Sequence, residues 1–225
     1  MMSDSDRSPA GDRLPAFPST EVQVVAFLVL VHLALVFWSS GPFSSDHDAI
    51  RQGGLLRGGT LNEPWRLVSS LFLHSGVSHA LWNGLSTLVF GVPLLTRLGF
   101  GRSCAIYFAS GIGGGIAALW FSEPGTLIIG SSGAVAGLFG AWVVLTLRQA
   151  RRETLSRRAM FRTMGIAMLV LPSLIRPATA SGHPISISSH MGGLLTGMLI
   201  GAILSVGMVP AVEEDEDEPE SVDGF

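Results

Sequence analysis

The sequence predicts an all-α, polytopic membrane protein built as a bundle of six transmembrane helices, and three observations carry that prediction. Only 14% of the 225 residues are charged, against about 25% in soluble domains, and mean hydropathy is +0.48. The charges gather at the two ends and in a few loops. Between those loops stand apolar runs, several of them close to the roughly 20 residues a bilayer-spanning helix needs. Length leaves room for one membrane domain at 22–209. A polar tail at 1–21 and an acidic tail at 210–225 flank it, both with a composition that predicts disorder. The single Cys104 sits inside an apolar run, which excludes an intrachain disulfide and leaves it a packing residue.

The first predicted span is Val22 to Trp38, interrupted by Gln23 and by His32, which is read as a packing histidine. Residues 39–78 then form a connection too long to be a passive loop. Its Trp65-Arg66 pair, followed by LVSSLFLH, suggests short amphipathic helices lying at headgroup level. His74, before Ser75-Gly76, is read as marking the turn into the second span, His79 to Leu98. The third span, Cys104 to Phe121, is rich in glycine, which permits close helix approach. The fourth runs from Ser132 to Leu147, 16 residues or about 24 Å at 1.5 Å per residue. Such a short span predicts that Ser132 lies below the membrane surface. The fifth span, Thr163 to Ile175, carries Pro172, and the sixth runs from His190 to Val209.

Residues 148–162 hold six Arg against one Glu, so the positive-inside rule puts this short loop in the cytoplasm. Both termini follow it there. The starts of spans two, four and six then share the outer side, the expected setting being a prokaryotic plasma membrane.

Those three starts carry the chemistry. Gly130-Ser131-Ser132-Gly133 places a serine between glycines at the head of a helix, where free N–H groups suit a developing oxyanion. Taken alone, this cluster also suits helix packing. Span six opens His190-Met191-Gly192-Gly193, and Gly193 and Gly197 form a small-xxx-small seam that can face Gly133 and Gly137 on span four. That contact brings Ser132 beside His190, an imidazole able to take its proton. Span two contributes His79 and Asn83, which spacing i, i+4 puts on one helix face as two hydrogen-bond donors.

Together, Trp65-Arg66, His79-x-x-x-Asn83, Gly130-x-Ser132-Gly133 and His190-x-x-Gly193-x-x-x-Gly197 resemble the rhomboid intramembrane serine proteases, over about residues 22–209. The resemblance implies Ser132 as nucleophile, His190 as general base, and His79 and Asn83 as oxyanion donors. It implies no metal and no cofactor. The expected partners are single-span membrane proteins as substrates and the lipid bilayer, with no nucleic acid. Two departures stand out. Ala136 occupies the position four residues after the serine where some members carry a Tyr stacked on the catalytic His. Ser189 replaces a frequent Ala before His190.

Other residues rank lower. His183 lies beside Pro184 without a glycine seam, and Asp46 and Asp48 sit in a polar loop far from any histidine motif. A non-catalytic relative that binds and escorts membrane helices is the rival reading, but such proteins usually lack the Ser or the His. A small transporter would need charged residues within the spans and repeat symmetry, and neither is present.

Overall fold

The computed structural model describes residues 19–38, 46–152 and 186–206, and they are predominantly helical. Helix α1 spans Thr20–Trp38, and the short helix α2 spans Asp46–Arg51. Strand β1 is Leu55–Leu56. Helix α3, Arg66–Ser69, runs into a 3-10 turn at Ser70–Phe72. Helix α4 covers Val77–Leu98 and α5 covers Phe100–Phe121. Strand β2 is Leu127–Ile128, α6 is Ser132–Arg152 and α7 is Ile187–Leu204. The predicted fifth span, His183 and both tails lie outside the described residues.

Boundaries differ from the sequence reading in ways that hydrogen bonding explains. Helix α5 begins at Phe100 instead of Cys104, because Gly99 alone turns the chain between α4 and α5. Gly99 stands at φ +79, a left-handed conformation that costs glycine little and other residues more. Helix α6 continues beyond Leu147 to Arg152, 21 residues or about 32 Å. Arginine is a good helix former, so the polar sequence after Leu147 does not end the helix. Asp46 and Asp48 belong to the first turn of α2, where carboxylates suit the positive helix end. Helix α7 starts three residues before His190, because Ser186 caps it by accepting the Ser189 N–H at 3.2 Å.

Among the described helices, α5 and α7 are long and apolar enough to cross a membrane by length and composition. Helix α4 departs from a uniformly apolar span because it turns Asn83, Ser86 and Thr87 into the protein interior. Phe90, Leu94 and Leu98 of α4 pack with Ile106 of α5 and with Val135, Leu138 and Trp142 of α6. Helix α1 covers the other side of α4, where Gly84 admits Val29.

Helix α7 wedges between α5 and α6. A β-carbon on Gly193 or Gly197 would fall far inside contact distance of the Gly133 or Gly137 carbonyl on α6. Gly114 of α5 lies against Ser189, and Gly192 of α7 against Ala117. Small residues on both flanks let backbones meet directly, the packing that holds helices together where lipid removes the hydrophobic driving force.

Candidate active site

Ser132 owes its position to a segment tied down on both sides. Leu127 and Ile128 pair antiparallel with Leu56 and Leu55. The Gly130 N–H donates to the Ser70 carbonyl at 2.8 Å. Gly130 stands at φ +103, the left-handed region that favours glycine. Its α-hydrogens also leave room that a side chain would fill. A β-carbon there would lie 2.8 Å from Cε1 and 2.9 Å from Nε2 of His79, and 3.3 Å from Nδ2 of Asn83. Beyond this point α6 begins, its first-turn N–H groups lacking helical partners as in any helix.

His190 reaches the serine from α7. Its Nε2 lies 2.8 Å from Ser132 Oγ. The imidazole is buried, while Ser132 keeps partial exposure. The N-terminal end of α7 is fastened to the end of α5 through a cluster of hydroxyls. Ser122 Oγ lies 2.9 Å from Ser186 Oγ and 2.7 Å from Ser188 Oγ. At the other end, Arg148 Nη1 donates to Ser205 Oγ at 2.6 Å, joining α6 to α7 again. The Ser132–His190 contact is thus held between two interhelical clasps.

The arrangement brings together residues the sequence singled out separately. His79 and Asn83 converge on the α-carbon of Gly130, two residues before Ser132. Asn83 is buried, and its Nδ2 makes no hydrogen bond among the described residues. A buried donor without a partner is costly, and this one is directed at Gly130, two residues before Ser132. A serine hydroxyl bonded to an imidazole, with amide donors on the adjoining backbone, can support nucleophilic attack on a carbonyl. Ala136 is buried, one helical turn below Ser132.

His74 was underestimated by the sequence reading. It is 1% exposed, and neither ring nitrogen makes a hydrogen bond of normal geometry among the described residues. Its ring stands edge-on to His79 at 5.1 Å and to His32 at 5.5 Å between centroids. Burial, reinforced by His79 and His32, holds its pKa well below the usual 6.5. His32 is satisfied, donating from Nδ1 to the Leu28 carbonyl at 2.7 Å and meeting the Tyr107 hydroxyl at 3.0 Å through Nε2. The His74–His79 spacing was the available signal, but only the fold adds His32 from α1. No group of three or more His, Cys, Asp or Glu side chains is arranged to hold a metal among the described residues.

Comparison with known proteins gives a consistent family. The family model described as Rhomboid domain matches residues 61–207. The chain is 34% identical over 145 residues to RHOMBOID-like protein 6, mitochondrial, of Arabidopsis thaliana, covering 64% of this chain and 44% of that protein. It is 34% identical over 145 residues to rhomboid protease GluP of Bacillus subtilis, covering 64% of this chain and 27% of that protein. A second Bacillus subtilis relative, YdcA, is 30% identical over 182 residues, covering 79% of this chain and 86% of its own length. The match therefore spans less than half of the first two relatives and most of the third.

Proposed function

The chain belongs to the rhomboid family of polytopic membrane proteins, and from that premise we propose that it is an intramembrane serine endopeptidase. Ser132 is the nucleophile and His190 the general base. The observation that carries the reading is the 2.8 Å hydrogen bond between them, made across two helices. The name of GluP as a rhomboid protease adds support. The substrates are single-span membrane proteins, cut in or near the span.

In this mechanism a substrate helix enters sideways and unwinds near its outer end, so that a carbonyl leaves its helical hydrogen bond. Ser132 Oγ attacks that carbonyl as its proton passes to His190 Nε2. Negative charge grows on the carbonyl oxygen, facing the Ser132 N–H, His79 Nε2 and Asn83 Nδ2. Each such donor is worth about 3 kcal/mol in the transition state. His190 returns the proton to the leaving amine, and water then hydrolyses the acyl-enzyme by the same path in reverse.

Helices α1, α4, α5, α6 and α7 are spans of the bundle in this reading. Arg97, Arg102 and Arg148 mark the cytoplasmic side, which puts both termini inside and the Ser132 end of α6 towards the outer side, as in a prokaryotic plasma membrane. The test needs no known substrate. The detergent-purified protein is treated with a fluorophosphonate probe, beside Ser132→Ala and His190→Ala. Labelling is expected in the wild type, absent in the first variant and much reduced in the second. A folded wild type that takes no label would favour a helix-binding, non-catalytic relative.

A further inference from the structure

Ser75 lies four residues before His79, in the turn that leads into α4, and is 3% exposed. Its hydroxyl stands 3.1 Å from His79 Nδ1. Elsewhere on the same ring, Cε1 and Nε2 lie against Gly130. One imidazole therefore meets a hydroxyl through one nitrogen and turns the other towards the backbone two residues before Ser132. A neutral imidazole carries a single N–H, and a partner that donates to one nitrogen leaves the proton on the other.

We propose that Ser75 is a positioning residue for the hydrolytic site: its hydroxyl donates to His79 Nδ1 and so keeps the His79 proton on Nε2, facing the oxyanion. This rests on the assignment of His79 to that site under the proposed function. In the opposite tautomer, Nδ1–H would donate to Ser75, and Nε2 would turn a lone pair towards developing negative charge. Asn83 needs no such device, because its amide nitrogen can only donate. His74 supplies the second constraint. Its buried ring stands edge-on to His79 at 76°, which limits the swing of the imidazole. Ser75 fixes the proton and His74 fixes the plane.

The test uses the full chain in detergent, as wild type, Ser75→Ala and Ser75→Thr. Fluorophosphonate inactivation gives kinact and KI, and 15N NMR of labelled histidine reads the tautomer, with His79→Gln assigning the signals. The expected wild-type pattern is a protonated Nε2 and an unprotonated Nδ1 on His79. Ser75→Ala is expected to lower kinact about tenfold at unchanged KI, a partial loss of one oxyanion donor, and to mix the tautomers. Ser75→Thr restores both readouts. A protonated Nδ1 in the wild type overturns the proposal. So does a Ser75→Ala variant with wild-type kinact and spectrum, or one in which Ala and Thr lower kinact alike with the tautomer unchanged. If the wild type takes no probe, the catalytic reading fails on its own, and the NMR arm alone then decides whether Ser75 sets the His79 proton.

Discussion

At single-residue scale, Asn83 is a costly group to hold in the interior. Its amide donor is buried and unpartnered among the described residues, and its β-carbon shares a helix face with that of His79. Asn83→Ala is expected to slow fluorophosphonate inactivation by a factor of about 100 or more. The same change removes a buried unsatisfied donor, so the melting temperature in detergent is expected to hold or rise. A fall in both would assign the residue to packing. His74 offers a separate test. Its folded pKa lies below the usual 6.5 because of burial first and the neighbouring imidazoles second. Between that depressed value and about pH 6.5, the unfolded chain holds a proton at His74 that the folded chain does not. Stability is then complete above about pH 6.5 and falls as pH drops through that window. Thermal unfolding at pH 7.5 and 5.5 checks the sign: the wild type should lose more on acidification than His74→Leu.

At the scale of elements, what matters is how closely α7 seats between its neighbours. Gly193→Ala puts a methyl group into the Gly133 backbone, where overpacking costs about 1–3 kcal/mol. It should also part His190 from Ser132. Gly101→Ala is the control, since a β-carbon there meets nothing within 4 Å and helix propensity favours the change by up to about 1 kcal/mol. Melting temperatures of the two variants should move in opposite directions. This seam was legible in the sequence because a four-residue glycine repeat fixes a helix face by local geometry alone. Helices α1, α4 and α5 could be read from their apolar runs for the same reason. Helix ends were less legible. The cap by Ser186, the turn at Gly99 and the continuation of α6 to Arg152 depend on hydrogen bonds and propensities that a hydropathy run does not register.

For the whole molecule, the long connection before α4 acts as a scaffold for the serine. Arg66 is its keystone, buried with two bonds to Glu63 at 3.0 and 3.2 Å. It also donates to the Ile50 and Gly54 carbonyls and lies 4.5 Å over the Trp65 ring. Arg66→Ala leaves those carbonyls without their donor, at about 1–3 kcal/mol for each buried group. Arg66→Lys should not restore the loss, since an ammonium lacks the planar fork. Unfolding of both variants in detergent measures it. None of this wiring was visible in the sequence beyond the Trp65-Arg66 pair. The pairing of Leu55–Leu56 with Leu127–Ile128, the bond from Gly130 to Ser70 and the edge-on contact of His32 with His74 all join distant segments. No local periodicity encodes such contacts.

The position of α7 has a consequence for the birth of the molecule. His190 follows Ser132 by 58 residues, and the groove it fills is lined by helices already made. A nascent chain halted before α7 carries the hydroxyl and its tethered backbone, yet lacks His190. Synthesis of α7 therefore brings His190 to the serine late, after the helices that flank it have been made. If Ser132 and His190 act as the proposed pair, a chain truncated before α7 is expected to take no fluorophosphonate label where the full chain does.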